Sequence, residues 1–204
     1  MLHHWSRAVE QLEKGRDFAV VTIISAGGAC SPPVGARLLV LPDGTMVGTI
    51  KDGRGKTHVR YLTLRVIERR SSHRARVSFC DEEGEGADMG GSGEADVLIE
   101  FVDHQDPILE RIFRGLNQII VEKRAAYFIS ELSILPGEWS SHPIRHALMD
   151  TGNLRIGGFP GCLQLIEALH GRGGLKAAQV VELGGWEYPV FLEWIKPAGK
   201  FFHS

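Results

Sequence analysis

The chain has 204 residues, of which 43% are hydrophobic and 24% charged, a balance that is typical of a folded protein and excludes disorder as its overall state. This length suits one sizeable hydrophobic core and is short for two ordinary domains. The formal net charge of -2 provides no overall positive field to hold nucleic acid or an anionic membrane, so we expect neither as a partner.

The first residues lack the basic and apolar regions of a secretion signal, and no apolar stretch reaches the roughly 20 residues that span a bilayer. The three cysteines, Cys30, Cys80 and Cys162, form no C-x-x-C pair, so the sequence predicts neither a disulfide framework nor a cysteine zinc site. We therefore expect a cytoplasmic protein with reduced thiols.

Apolar spacing and turn residues divide the first half of the chain into short elements. The continuous β-branched run 18–24 is typical of a strand buried on both faces. Asp43-Gly44 between two apolar runs predicts a hairpin. In chain order we expect a helix over 5–12, strands over 18–24, 37–41 and 45–50, a helix with a basic outer face over 57–70, and strands over 75–80 and 96–102.

The second half opens with a clear helix start, because Asp106-Pro107 combines a capping side chain with a proline at the first turn. We expect in order a helix over 106–123, a strand over 125–134, a short helix over 143–149, a short strand over 154–156, a helix opened by 157–161 and ending near 170, and strands over 178–183 and 188–195.

Together these elements predict an α/β (α+β) fold in which a mixed β-sheet has flanking helices. We expect a single compact domain over 1–204. A core over 1–135 with a C-terminal extension over 136–204 is the alternative division of the same domain.

Three glycine-rich loops, 27–35, 48–55 and 90–93, each follow or precede a β-type run. Glycine lets backbone N–H groups approach a ligand closely and line concave sites for anions such as phosphate. Any one of these loops is explained by an ordinary turn. The three together predict a cleft lined by backbone donors.

The order of these loops resembles the N-terminal part of the xanthine dehydrogenase accessory protein family, XdhC/CoxI. That family's entry pattern, G-S-x-P-R-x-x-G-A, corresponds here to G-A-C-S-P-P-V-G-A over 28–36. Its next signature corresponds to the Asp43-Gly44 turn followed by G-T-I-K-D-G over 48–53. A third corresponds to 88–93 with the apolar strand that ends at Glu100, and the strand 190–197 resembles the family's approach to a nucleotide-binding second domain.

The resemblance implies a chaperone that holds the molybdenum cofactor (molybdopterin) and delivers it to a molybdenum hydroxylase client. It implies an accessory protein that is not an autonomous catalyst, self-association as a homo-oligomer, and a nucleotide-binding half that a separate chain would supply. A soft thiolate such as Cys30 suits contact with the metal. No catalytic residue and no metal ligand is assigned, and the cofactor-binding candidates on the family's loops are Gly27, Gly28, Cys30, Gly35, Gly48, Thr49, Gly53, Met89, Gly91 and Gly93.

Several signature positions carry other residues in this chain, and they are Ala29, Ser31, Pro32, Lys51, Asp52, Lys56, Gly91 and Ser92. The alternative is therefore a degenerate member that acts as a protein-interaction or regulatory module without cofactor. Basic residues concentrated over 51–76 and acidic ones over 81–100 offer such a module a docking face, although solvated or mutually paired surfaces explain such runs more often. An enzyme acting on a small phosphorylated ligand is the third and least favoured reading.

Two further groups have the residue types of metal or reactive sites. His142, His146 and Asp150 would share one face of a helix at a spacing that metals use, but surface or capping histidines are the favoured interpretation. Cys162 follows the glycine-rich turn 157–161 at a helix start, which lowers a thiol pKa. A nucleophile needs a base, and none can be placed beside it, so a buried structural cysteine is favoured.

Overall fold

In the part of the chain that the structure describes, two antiparallel β-sheets pack face to face, and helices α1, α2 and α3 lie against them. A computed structural model describes residues 3–48, 50, 53–79, 93–150, 155–159, 162, 165, 178–182, 184 and 186–196. The helices are α1 (His3–Glu13), α2 (Arg54–Arg69) and α3 (Pro107–Val121), and the strands are β1 (Phe18–Gly27), β2 (Arg37–Val40), β3 (Met46–Gly48), β4 (Ser72–Ser78), β5 (Glu94–Val102), β6 (Ala126–Glu131), β7 (Trp139–Ser140), β8 (His146–Asp150), β9 (Arg155–Gly157), β10 (Gln179–Val181) and β11 (Val190–Ile195).

The first sheet has the strand order β3-β2-β1-β5-β4-β7, and the second has the order β10-β11-β6-β8-β9. Every described pairing is antiparallel. The predicted α/β (α+β) class with helices flanking β-sheet is confirmed. Among the described residues, none of the helices combines the length and apolar character that crossing a bilayer requires.

Strand β1 is the central strand of the first sheet and is buried along Phe18 to Ile24, as its continuous apolar run predicts. One face, carrying Val21 and Ile23, packs in a core under α2. The other face, carrying Phe18 and Val20, packs with α1, α3 and the second sheet. Burial on both faces therefore follows from helix packing on one side and sheet packing on the other.

Capping and turn residues correctly predict where helix α3 begins and where the β2–β3 hairpin turns. Asp106 caps α3 by accepting hydrogen bonds from the Ile108 and Leu109 amides at 2.8 and 3.1 Å. The hairpin β2–β3 turns at Asp43-Gly44, where the Asp43 carboxylate accepts from the Thr45 amide at 2.8 Å. The predicted pairing of the last two strands is also confirmed, since β10 and β11 are antiparallel neighbours.

The short helix predicted over 143–149 is wrong. Residues 146–150 form strand β8, which pairs with β6 from Ser130↔His146 to Ala126↔Asp150. Its apolar residues pack in two separate cores. Leu148 packs on the side of α3, and Ala147 packs on the opposite side of the sheet. A stretch that is buried on both faces does not alternate between apolar and polar residues. The spacing of its apolar residues therefore does not distinguish a strand from a helix.

Other boundaries moved by a few residues or lie outside the described chain. Helix α2 begins at Arg54 and strand β7 was not predicted. Of the helix predicted after 157–161, only Cys162 and Leu165 are described, and both are helical and buried. Three positions of the predicted strands lie outside the described residues, namely residues 49, 80 and 154.

A layer of charged and polar side chains is buried between the two sheets. His146 Nε2 lies 2.6 Å from Glu100 Oε1, and its Nδ1 lies 2.9 Å from Ser130 Oγ. The His146 and Glu100 side chains are only 2% and 7% exposed, and the imidazole stacks on the Phe128 ring. One ring nitrogen faces the carboxylate and the other faces the hydroxyl, so each of the three buried groups has a hydrogen-bonding partner.

A second part of this layer is built around Arg37. Its guanidinium pairs with Glu193 of the second sheet, donates to Thr22 Oγ1 at 3.2 Å and lies over the Trp5 and Phe128 rings. Burial and the neighbouring Arg37 charge lower the pKa of His4 to about 4, so that this imidazole is neutral beside the guanidinium at neutral pH. The sheets are thus joined by paired polar groups as well as by apolar contacts.

We predict that His146→Leu lowers the free energy of unfolding by about 3 kcal/mol, because it leaves the Glu100 carboxylate buried without its partner. Urea unfolding monitored by tryptophan fluorescence measures the change. The double variant Glu100→Leu with His146→Leu removes both polar groups and should recover most of the loss. Equal stability of the single and double variants would contradict a partnered Glu100–His146 contact.

Candidate functional site

The three glycine-rich loops that the sequence predicts connect to the first sheet at the same end of its strands. This end of the strands forms the edge of the sheet at which the candidate site lies. Because β1 and β5 are antiparallel and Gly27 is opposite Glu94, the end of β1 lies beside the start of β5. Ser78 at the end of β4 is opposite the same Glu94. Strand β3 also ends at this edge, where Gly48 is opposite Leu38 near the start of β2. The antiparallel register therefore gathers the loops after β1, β3 and β4 at one end of the sheet.

The first loop is in direct contact with Gly93, the last residue of the third loop. A Cβ atom on Gly93 would lie 2.8 Å from both the Cys30 Cβ and the Ser31 amide nitrogen, so the backbones meet more closely than any side chain allows. The Ser31 hydroxyl bonds the Gly27 carbonyl and the Glu94 carbonyl, the latter at 2.9 Å. Two of the three predicted loops are thereby held against each other.

The N-terminus of α2 reaches this contact through Phe79. The Phe79 amide donates a hydrogen bond to the Gly93 carbonyl at 2.8 Å. The Phe79 ring packs against Gly55 so closely that a Cβ atom on Gly55 would lie only 2.4 Å from the ring. Gly55 is in the first turn of α2, whose N-cap, Gly53, has φ 139 and offers no side-chain cap. The sheet edge thus presents a helix N-terminus beside the loop contact.

The electrostatics of this helix start are unusual. The first turn of α2 has no acidic residue, although acidic side chains are the ones that the positive end of a helix dipole favours. It carries Arg54 and Lys56 instead, and both make contacts within the protein. The helix dipole and the two cationic side chains favour an anion at this position.

Two predicted glycines have structural roles away from this contact. Gly48 has φ 129 and lies against the Arg37 carbonyl, which a Cβ would approach to 2.4 Å. Gly35 has φ 85 and faces the second sheet, where a Cβ would lie 3.1 Å from the Ala178 Cβ. The structure therefore brings Gly27, Gly28, Cys30, Gly53 and Gly93 to one edge and directs Gly35 toward the other sheet. Thr49, Met89 and Gly91 lie outside the described residues.

The cysteines and histidines singled out by sequence fall into separate environments. Cys30 is a half-buried cysteine of the first loop that is not in a disulfide, and it lies against Gly93. Cys162 is buried and accepts a 3.5 Å hydrogen bond from Arg155. His142 is exposed in the loop before β8, whereas His146 is buried and partnered, and Asp150 pairs with Arg124. The predicted shared face of His142, His146 and Asp150 does not form, because this segment is a strand.

A cluster at the opposite edge of the first sheet has the residue types of a metal site. Asp17, Asp103 and His104 place one ligand atom each within 4.8 Å of the others. However, Arg70 pairs with both carboxylates, at 2.8 Å for Asp103, and His104 Nδ1 lies 2.7 Å from Asp17 Oδ1. These groups already satisfy one another, so the cluster is a salt-bridge network beside a cleft of about 490 Å³ that Arg70 and Asp103 help to line.

Sequence reasoning missed the buried charges between the sheets. Glu100 and Glu193 were noted only as strand residues, and Arg37 as the start of a strand. The signal that could have found them is a charged residue inside an apolar run, since such a residue is rarely buried without a partner.

Comparisons with known proteins found one family model that matches part of the sequence and one solved structure with a similar fold. A sequence model of the XdhC and CoxI family matches residues 11–79. The fold matches a crystal structure from Bacillus halodurans that is described as a xanthine dehydrogenase, with a TM-score of 0.64, 18% sequence identity and coverage of 95% of this chain. The chain spans only 53% of that protein. No curated protein matches the sequence significantly.

We predict that Gly93→Ala lowers the free energy of unfolding by about 1 to 3 kcal/mol, because the added methyl group overpacks the Cys30–Ser31 backbone. Gly27→Ala is the matched control, since a Cβ at Gly27 meets no atom within 4 Å. Thermal unfolding of both variants measures the difference. If both variants are as stable as the parent protein, the two loops are not in contact.

Proposed function

We propose that the chain, whose residues 11–79 match a sequence model of the XdhC and CoxI family, is an accessory protein that binds the molybdenum cofactor for a molybdenum hydroxylase. The protein matched in fold is described as a xanthine dehydrogenase, which supports a client of that type. In this proposal the chain holds and hands over the cofactor and catalyses no reaction alone.

The observation that carries the proposal is the meeting of the glycine loops at one sheet edge. Gly93 packs on Cys30 and Ser31, and the uncapped start of α2 lies next to this contact through Phe79. A pterin phosphate is an anion, and backbone donors at a helix N-terminus are a common way to hold one. The residues present therefore fit the phosphate end of the cofactor.

Each part of this edge has a separate task in the proposed mechanism. The amides of the first α2 turn, with Arg54 nearby, would hold the phosphate. The Gly27–Gly28 backbone would lie along the pterin, because a Cβ at Gly27 meets no protein atom. Cys30 would offer a soft sulfur ligand from the same loop. When bound, the cofactor supplies the molybdenum centre that the client uses.

The altered signatures change the charge of the site more than its backbone. Lys56 stands where the family pattern has a glutamate, and Arg54 adds a second cation in the same turn. This substitution favours an anionic ligand over a neutral one, since the nearby negative charge is replaced by a positive one. Cofactor binding at this edge is thus compatible with the departures from the pattern.

The partners and location belong to the same proposal. We place the protein in the cytoplasm as a single domain over 1–204 that self-associates and works with a separate nucleotide-binding chain.

An interaction or regulatory module without cofactor is the second candidate. It is favoured by the Phe79 ring, which fills the space behind the first turn of α2 at Gly55. A binding edge closed by its own side chains would leave the protein with a docking role only.

The proposal predicts that protein purified from a host that makes the cofactor carries pterin and molybdenum, seen as pterin fluorescence after denaturation and as metal content. Arg54→Gln should reduce the pterin content roughly tenfold, because a charge-assisted hydrogen bond is worth about 1.5 to 3 kcal/mol. Arg111→Gln, an exposed arginine on α3, is the matched control and should change nothing. Pterin-free protein that also gains no thermal stability from added cofactor would favour the module instead.

A further inference from the structure

Phe79 joins two parts of the candidate edge, because its backbone and its side chain contact different elements. Its amide donates to the Gly93 carbonyl at 2.8 Å, which continues the β4–β5 pairing beyond Ser78↔Glu94. Its ring packs against Gly55 in the first turn of α2. One residue at the end of β4 therefore contacts both the residue before β5 and the start of α2.

The helix start lies directly on the end of β4 at Gly55, which is buried. A Cβ on Gly55 would lie 2.4 Å from the Phe79 ring and 2.8 Å from the Ser78 carbonyl oxygen. The α-carbon is only one bond, about 1.5 Å, from that Cβ position, so it is itself in van der Waals contact with the ring. A larger residue at position 55 would displace the first turn of α2 from the end of β4.

The Phe79 ring is held in place by the core beneath α2. Phe79 is 9% exposed and packs in the same core as Val59 of α2 and Val77 of β4. A closely packed core leaves a side chain little room to turn away from its neighbours. The ring is therefore a fixed surface on which the first turn of α2 rests.

Gly93 connects Phe79 to the loop after β1. The Gly93 carbonyl accepts the Phe79 amide, and the Gly93 backbone packs against Cys30 and the Ser31 amide. The Ser31 hydroxyl also donates to the carbonyl of the next residue, Glu94, at 2.9 Å. A continuous series of contacts thus runs from the first turn of α2 through Phe79 and Gly93 to Ser31.

We infer that Phe79 is a positioning residue, which together with the glycine at position 55 fixes the distance between the first turn of α2 and the loop after β1. These are two sides of the anion site in the proposed function, and the inference rests on that function for its ligand. The contacts that carry the inference lie within the protein. Phe79 needs no contact with the ligand, because it acts through Gly55 and Gly93.

The test uses Gly55→Ala, which displaces the first turn of α2 from Phe79 and adds no charge. In the full chain without ligand, backbone amide chemical shifts should change at Phe79, Gly93 and Ser31, because the displacement passes along their contacts. Affinity for a pterin phosphate should fall roughly tenfold, the loss expected when one hydrogen bond to the anion is lost. Phe79→Leu, which keeps the amide hydrogen bond and removes the ring, should act in the same direction and carries the same test if Gly55→Ala does not fold.

Gly115→Ala is the matched control, because Gly115 is also a buried helical glycine, on α3, where a Cβ would lie 2.5 Å from Ile156 Cδ1. It should lower thermal stability without changing affinity or the Gly93 and Ser31 shifts. Unchanged Gly93 and Ser31 shifts in Gly55→Ala, or equal losses of affinity in both variants, would overturn the positioning role. If these shifts change as expected but the parent protein binds no pterin phosphate, the proposed function fails and the coupling of α2 to the loop stands.

Discussion

Strand β1 determines the geometry of the molecule because it pairs with β2 and with β5 and is buried on both faces. Its antiparallel neighbour β5 begins where β1 ends, with Glu94 opposite Gly27. The loop after Gly27 and the loop before Glu94 are therefore adjacent, and the close backbone approach at Gly93 follows from this register. Loops that leave paired strands in this way are held rigidly where they join the sheet. A site that presents backbone N–H donors requires such support.

The second constraint is the polar layer between the sheets. Buried charges add little stability on average, and removing one partner is costly, so such pairs act mainly to select one arrangement of the elements. Here Glu100–His146 and Arg37–Glu193 each join a strand of the first sheet to a strand of the second. Slippage of either sheet would separate these partners. These pairs therefore favour one relative position of the two sheets.

The sequence allowed prediction of those features that short-range chemistry decides. Asp106-Pro107 and Asp43-Gly44 each act within a few residues, and the helix start and hairpin that they predict are present. The stretch 143–149 was misassigned because burial on both sides by two separate cores removed its alternation. Arg37 and Glu193 are 156 residues apart, and their pairing could not be predicted because nothing local indicates which distant partner a buried charge has. Residue types at the candidate edge were predictable from the glycine pattern, but the turn of Gly35 toward the second sheet was not.

The central claim is that the start of α2, the loop after β1 and the start of β5 form one binding edge for an anionic ligand. The most direct measurement is a titration of isotopically labelled protein with a pterin phosphate, followed by the chemical shifts of backbone amides. The account predicts that amides of Gly28 to Ser31, Gly53 to Gly55 and Gly93 shift together and saturate with a single dissociation constant. Shifts confined to the cleft at Arg70 and Asp103, or no saturable shifts at all, would contradict it.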